Sequence, residues 1–212
     1  VTVPVAVLAS GGGTNLQALI DDAAAPGCPY RVAVVVADRP RAGALDRARR
    51  HDIPTEVVLL RDHPDREAFD AAVVERLESH GVRWVCLAGW MKQVGAPFLA
   101  AFPQRILNVH PSLLPAFPGL HAQAQAFEAG VRIAGCTVHL VDDGLDTGPI
   151  VIQAAVPVRP DDDAEALRLR ILAEEHAIYP RALRWAVTGA LAVEGRRVVV
   201  RAPGAALSRW SG

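Results

Sequence analysis

The sequence predicts an α/β domain built on a mostly parallel sheet, and three observations carry that prediction. Short β-branched runs alternate with longer helical patterns through the first half of the chain, which is the rhythm of βαβ units. Three consecutive glycines, Gly11 to Gly13, follow the first apolar run and open the first helical one. Further on, Pro111, Pro115 and Pro118 follow the apolar run RILNV; they fix backbone dihedrals and remove amide donors, so the strand gives way to a shaped loop. Open α/β sheets bind ligands at the carboxyl ends of their strands, where such loops lie.

In chain order, PVAVLA reads as the first strand and NLQALIDDAA as the first helix, followed by the strand RVAVVVA, the helix GALDRARRH, the strand TEVVLL, the helix REAFDAAVVERLESH and the strand WVCLAG. RILNV is the next strand, and HAQAQAFEAG is a helix after the proline loop. RIAGCTVHLV and IVIQAAVPV are two strands joined by DDGLDTGP, a connection too short for a parallel crossover, so this pair is expected to be antiparallel. From Asp161, DDDAEALRLRILAEEHAIYPRALRWAV is a long amphipathic helix with acids in its first turn, matching the helix dipole. LAVEGRRVVVRA then reads as a hairpin turning at Glu194 and Gly195. No internal repeat, low-complexity tract or interdomain linker interrupts this order.

The bulk properties narrow the function classes. With 212 residues the chain suffices for one substantial α/β core or two small lobes sharing a sheet. A formal net charge of −1 and a pI near 6.7 supply no global field for nucleic acid or an anionic membrane, so a phosphate must be held locally. Cys28, Cys86 and Cys136 are widely spaced, with no CxxC, which argues against a disulfide framework or a structural zinc site and fits a reducing cytoplasm. The N-terminus has no basic n-region, and no apolar run approaches the roughly 20 residues that span a bilayer.

SGGGTN, residues 10–15, places exposed N–H groups and the positive end of a helix dipole behind the first strand, a setting whose natural guest is phosphate. Leu16 stands where the third glycine of GxGxxG would be, and there is no Walker lysine, so a mononucleotide is expected over a dinucleotide or a triphosphate. The same glycines also suit a plain strand-to-helix turn with Thr14 as N-cap. Asp38 reads as a turn residue in ADRP, against the ribose contact of nicotinamide-binding folds. Arg66 opens a helix whose dipole it opposes, which calls for a substrate anion or a nearby carboxylate, or leaves an exposed arginine. GWMKQVG, residues 89–95, brings Trp90 and Met91, the only methionine, to the carboxyl edge of the sheet; that surface suits a flat ring system, although each residue is also an ordinary core type.

Asn108 and His110 are two apart on one strand, so their side chains share a face and can act on one group. His110 and His139 read equally as hydrogen-bonded structural histidines. Zinc is the rival, with an aspartate as third ligand, but no HxxxH or cysteine cluster supports it and no metal is expected. Spacing alone does not select Asp146 over Asp142 or Asp143. His121 reads as a cap for the helix after the proline loop, and Glu175 as part of a charged helical face.

Taken in order and spacing, SGGGTNLQALID, LAGWMKQVGAPFL, ILNVHPSLLPAFPGLHA, GCTVHLVDDGLDTGPI and EEHAIYP closely resemble the phosphoribosylglycinamide formyltransferases, folate-dependent enzymes of purine synthesis. The likeness covers nearly the whole chain. It implies the formyltransferase fold, a Rossmann-like, mostly parallel twisted sheet with helices on both faces. The whole of 1–212 would be one domain, with a mononucleotide lobe over about 1–104 and a folate-binding, catalytic lobe over about 105–212 on the same sheet. The activity implied is transfer of a formyl group from the co-substrate 10-formyltetrahydrofolate to the amine of glycinamide ribonucleotide.

By that resemblance Gly13, Thr14 and Asn15 hold the substrate phosphate, Arg66 lines the cleft nearby, and Glu175 contacts the ribose hydroxyls. Met91, Lys92 and Val94 border the folate, whose pterin meets backbone groups from Val141 through Asp142, Asp143 and Gly144 to Asp146. Asn108, His110 and Asp146 form the catalytic group, with His139 in support. One departure is the stretch Gln123 to Gln125 after PGLHA, where relatives often carry more basic residues. The alternative activity is that of a formyltetrahydrofolate hydrolase. Hydrolases share the Asn, His and Asp constellation but carry an N-terminal regulatory domain, whereas the first strand here starts almost at residue 1. A methionyl-tRNA formyltransferase is expected to be longer, with a basic C-terminal domain, and a nonenzymatic mononucleotide sensor would leave the second polar cluster unexplained. The expected partners are the two small molecules, without nucleic acid or membrane, for a cytoplasmic monomer or homodimer.

Overall fold

The β-branched runs of the first half form a parallel sheet. In the computed structural model, which describes residues 2–201 and 208–210, the chain divides into two compact units, Val1–Asn108 and Val109–Gly212. In the first, β1 (Val3–Leu8) lies between β2 (Tyr30–Ala37) and β4 (Trp84–Leu87), β3 (Thr55–Val57) pairs with β2, and β5 (Ile106–His110) pairs with β4, all parallel. Val5 to Leu8 of β1 and Val34 to Ala37 of β2 are each 0% exposed. Continuous burial of this kind marks strands covered on both faces, and each fully buried valine or leucine contributes about 1.5–3 kcal/mol. The connections are helical: α1 (Thr14–Ala23), α2 (Gly43–Arg50), α3 (Arg66–Ser79) and α4 (Ala96–Ala101).

Strand order reverses at β1, since β2 and β3 extend the sheet one way and β4 and β5 the other. The loops after β1 and β4 therefore meet at a topological switch point, the usual ligand crevice of an open α/β sheet. They are tied together there: the Ser10 N–H donates to the Gly89 carbonyl at 3.0 Å, and the Met91 N–H donates to Ser10 Oγ at 3.0 Å.

In the second unit β6 (Ile133–Leu140) and β7 (Ile150–Pro157) are antiparallel, as their short connection requires. Beyond β7, β8 (Leu191–Glu194) and β9 (Arg197–Val200) form a hairpin whose second strand pairs in parallel with β7, and β10 (Ser208–Trp210) also runs parallel to β7. Among its described residues this unit has the helices α5 (Ala122–Glu128) and α6 (Ala164–Val187). α6 packs on β6 and β7 through a stripe of Leu167, Ile171, Ile178, Ala182 and Leu183, all at most 1% exposed. It tolerates Pro180, which cannot donate to the carbonyl four residues back.

Several elements differ from the sequence expectation. Only three residues of TEVVLL make β3, and a 3-10 turn at Leu60–Asp62 replaces its end. α4 was not anticipated, being six residues long with a proline in its first turn. The hairpin register pairs Glu194 with Arg197, so the turn residues are Gly195 and Arg196 instead of Glu194 and Gly195. Gly195 takes φ 62° there, where an L side chain is strained. Ala202, the last residue of the expected hairpin, lies outside the described residues.

Candidate active site

The glycine loop is shaped by α2. Gly13 adopts φ 73° and caps α1 without a side-chain hydrogen bond; Thr14 is the first helical residue, so the N-cap expected there belongs to glycine. A Cβ on Gly13 would lie 2.8 Å from both Cα and Cβ of Ala44. The Ala44 N–H donates to the Gly11 carbonyl at 3.1 Å, and Arg47 Nε donates to the Gly12 carbonyl at 2.7 Å. Two loop carbonyls are thus occupied from α2, and Gly13 brings no side-chain cap to α1. The first turn of a helix suits an anion. Asn15 is buried at the base of this turn, at 9% exposure.

In the loop after β4 the two bulky residues part company. Trp90 is buried and stacks on Phe69 with ring centroids 6.3 Å apart, a core role. Met91 is 54% exposed, Val94 is buried and Lys92 is half-buried. Arg66 has the compensating carboxylate that its helix-start position called for: Nε donates to Asp70 Oδ1 at 3.0 Å, one helical turn on. The other Asp70 oxygen accepts the Gly95 N–H at 2.7 Å, so α3 holds the end of the loop. Arg66 Nη2 has no hydrogen-bond partner among the described residues and remains a donor to be used.

The second unit assembles an imidazole–carboxylate–imidazole group. His110, 4% exposed at the end of β5, places Nδ1 3.4 Å from Asp146 Oδ2 and Nε2 2.9 Å from the Phe117 carbonyl. His139 on β6 sets Nε2 3.7 Å from the other Asp146 oxygen and Nδ1 2.9 Å from the Leu140 carbonyl. The Gly119 N–H also donates to Asp146 Oδ2, at 2.8 Å. Both nitrogens of His110 therefore face oxygen acceptors, a pattern that a neutral ring can satisfy at only one of them. Asn108 lies two residues earlier on the same strand, half-buried.

Of the three acids in the turn, Asp146 is the one that lies near the two histidines. Asp142 Oδ1 accepts from the Gly144 N–H at 3.2 Å and from Thr147 Oγ1 at 2.7 Å, closing the turn on itself. Asp143 is exposed, and Val141 and Gly144 are half-buried. Asp146 takes the left-handed φ of 55° and is the acid that reaches both histidines. A Cβ on Gly148 would run into the Leu140 carbonyl, and one on Gly144 into Thr147 Oγ1, so only glycines permit so tight a turn.

Two residues that sequence reasoning passed over hold the proline loop. Thr137 is 0% exposed; its hydroxyl donates to the Ser112 carbonyl at 2.7 Å and accepts the Leu114 N–H at 3.1 Å. Gln153 Nε2 donates to the Leu114 carbonyl at 3.0 Å. The available signal was strand alternation, because Gly135, Thr137 and His139 share one face of β6. His121 does precede α5, but with φ 60° and no side-chain cap hydrogen bond. Glu175 is 5% exposed on α6, a buried residue and not part of a solvated face. The Cys136 thiol is pushed up by burial first and then by the negative charges of Glu175 and Glu174, which sets these carboxylates beside β6. Among the described residues no group of three or more His, Cys, Asp or Glu side chains is arranged to hold a metal ion, and no helix is long and apolar enough to cross a membrane.

Burial raises the Asp146 carboxyl, but the His139 hydrogen bond, the Gly119 N–H and the two imidazole charges outweigh it and hold the group below its ordinary value of 3.8. A carboxyl depressed in the folded state adds stability that is present above the unfolded value and is lost as pH falls through the folded one. Asp146→Asn is therefore expected to cost about 1.5–3 kcal/mol at pH 7, the usual worth of hydrogen bonds to a charged group. The deficit should shrink as the pH drops below 3.8. Urea melts of both proteins across this range check it; a deficit independent of pH would show that packing, and not charge, holds the turn.

The chain is similar to known proteins over most of its length. The formyl transferase family matches residues 3–183. The trifunctional purine biosynthetic protein adenosine-3 of Drosophila melanogaster is 48% identical over 187 residues, covering 87% of this chain but only 14% of that protein. A phosphoribosylglycinamide formyltransferase of Mycobacterium tuberculosis is 46% identical over 195 residues, covering 92% of this chain and 87% of its own length. The crystal structure of glycinamide ribonucleotide transformylase 1 from Symbiobacterium toebii superposes with a TM-score of 0.92 at 56% identity, covering 94% of each chain.

Proposed function

The chain belongs to the formyl transferase family, and on that premise we propose that it transfers a formyl group from 10-formyltetrahydrofolate to the amine of glycinamide ribonucleotide in purine biosynthesis. The products are formylglycinamide ribonucleotide and tetrahydrofolate. The observation that carries the proposal is the near full-length similarity to a transformylase and a formyltransferase of this substrate. The histidine–aspartate group and the capless glycine loop supply chemistry that such a transfer needs. The reading carries with it a cytoplasmic enzyme that uses no metal.

The neutral amine attacks the formyl carbon, the carbonyl oxygen becomes an oxyanion, and collapse of the tetrahedral intermediate expels the folate nitrogen. The amine loses one proton and the leaving nitrogen gains one, so no enzyme nucleophile and no net acid or base is consumed. In this proposal Asn108 N–H and His110 donate to the oxyanion, and the oxyanion replaces the Phe117 carbonyl now 2.9 Å from His110 Nε2. A charged acceptor strengthens such a bond. Asp146 holds His110 from the other nitrogen and orders the water that relays the proton, while His139 steadies the second carboxylate oxygen. The phosphate rests on the first turn of α1 at Gly13, Thr14 and Asn15. Glu175 takes the ribose hydroxyls, and Arg66 offers the donor that Asp70 leaves unused. Met91, Lys92 and Val94, with the backbone from Val141 to Asp146, border the folate.

Water could use the same oxyanion donors, so the test separates transfer from hydrolysis. Held by its phosphate, the ribonucleotide presents its amine at about 3–3.5 Å from the formyl carbon, an advantage of proximity that mobile water lacks. The protein is incubated with 10-formyltetrahydrofolate alone and then with glycinamide ribonucleotide, and formate and formylated product are followed separately. Slow formate release and rapid product formation on adding the ribonucleotide are expected. Rapid formate release that the ribonucleotide does not divert would make the chain a hydrolase.

A further inference from the structure

Gln153 is not among the residues that the sequence singled out, yet it stands opposite Thr137 in the register of β6 and β7 and its amide reaches the proline loop. Gln153 Nε2 donates to the Leu114 carbonyl and to Thr137 Oγ1, each at 3.0 Å. The Thr137 hydroxyl accepts from this amide and from the Leu114 N–H, and it donates to the Ser112 carbonyl, which uses its one hydrogen and both of its lone pairs. Ser112 Oγ in turn donates to the Ala116 carbonyl at 2.5 Å, and the Ala116 N–H donates to the Leu113 carbonyl at 3.0 Å. Residues 112–116 are thus fixed from β6 and β7 right up to Phe117.

Phe117 takes φ 53°, a left-handed backbone that a bulky side chain adopts only where its surroundings dictate it. Its carbonyl lies 2.9 Å from His110 Nε2, closer than the 3.4 Å between Nδ1 and Asp146 Oδ2. A carbonyl can only accept, so in this contact Nε2 carries the hydrogen. That is the ring form in which Nε2 can donate to an oxyanion.

We propose that Gln153 is a positioning residue for formyl transfer: by fixing the loop that aims the Phe117 carbonyl, it presets the His110 ring with Nε2 as a donor before the substrates arrive. The inference rests on the reading of His110 as an oxyanion donor and adds the means by which the ring is preset. A donor oriented in advance needs no reorganisation when charge develops, so loosening it is felt in kcat and not in KM.

The test uses the full-length protein. Gln153→Met keeps the reach of the side chain and removes both donated hydrogen bonds; it is expected to lower kcat about five- to tenfold with both KM values held within about twofold. Placed in His110→Ala protein it should lower kcat no further, because no ring is left to preset. In NMR without substrates, the His110 Nε2 proton should be protected from exchange in the wild type and exchange on the order of tenfold faster in Gln153→Met. A wild-type ring with no protected Nε2 proton, or equal protection in the two proteins, overturns the proposal. Equal kcat losses with and without His110 overturn it as well, by marking Gln153 as a purely structural residue. If Gln153→Met does not fold, Thr137→Val removes the same anchor from the facing strand and carries both measurements. Wild-type protein that forms no formylglycinamide ribonucleotide overturns the functional reading instead, while proton exchange still decides whether Gln153 presets the imidazole.

Discussion

Replacing His110 by alanine is expected to lower kcat by about 10²–10³-fold while the KM values for ribonucleotide and folate stay within a few-fold, because an oxyanion donor acts on charge present only in the transition state. The structure makes this a clean deletion. Asp146 keeps the Gly119 N–H at 2.8 Å and His139 at 3.7 Å after His110 is gone, so the turn that carries it retains its own ties. The Ser112 to Leu114 stretch is held through Thr137 and Gln153, independently of the imidazole. Asn108→Ala should show the same division between kcat and KM. The two losses should combine to less than their product if both groups serve one oxyanion, since residues acting as a unit are not additive. Steady-state kinetics alongside thermal melts decide it; a His110→Ala protein that folds and keeps near wild-type kcat removes the imidazole from the reaction.

What the sequence made legible follows from the range over which each feature is determined. The parallel strands were readable because burial on both faces writes itself as unbroken apolar runs such as RVAVVVA. The antiparallel pair of β6 and β7 followed from the length of one connection. The partner of Arg66 was also within reach, since Asp70 stands four residues on and such pairs meet on a helix. Asp146 could not be chosen over Asp142 by spacing, because the choice depends on a left-handed backbone at 146 and on the close approach of Gly148 to Leu140. Asp38 does stand in a bend after β2, as the sequence suggested, but its burial and its ion pair were out of reach for a related reason. A short polar residue after a strand resembles any turn, and only the pairing of β2 and β4 on either side of β1 reveals that Lys92 waits across the sheet edge.

The glycine loop offers the other large effect, and its two neighbouring positions should respond in different ways. A Cβ on Gly12 meets nothing within 4 Å, and Gly12 is not among the residues with positive φ, so Gly12→Asp is expected to fold normally. It sets a carboxylate beside the proposed phosphate. At an effective dielectric of about 20, two unit charges some 4–5 Å apart repel by about 3–4 kcal/mol, so KM for glycinamide ribonucleotide should rise on the order of 10²–10³-fold with folate binding kept. Gly13→Ala adds no charge, yet its Cβ would lie 2.8 Å from the Ala44 backbone, at φ 73°. Left-handed backbone alone costs an alanine about 1–2 kcal/mol, and the clash must also displace α2 or the start of α1. Gly13→Ala should therefore lower the melting temperature and disturb the loop itself. If Gly12→Asp weakened the ribonucleotide and the folate equally, or left the ribonucleotide untouched, the loop would be a strand-to-helix turn and no more, and the phosphate would have to be sought elsewhere.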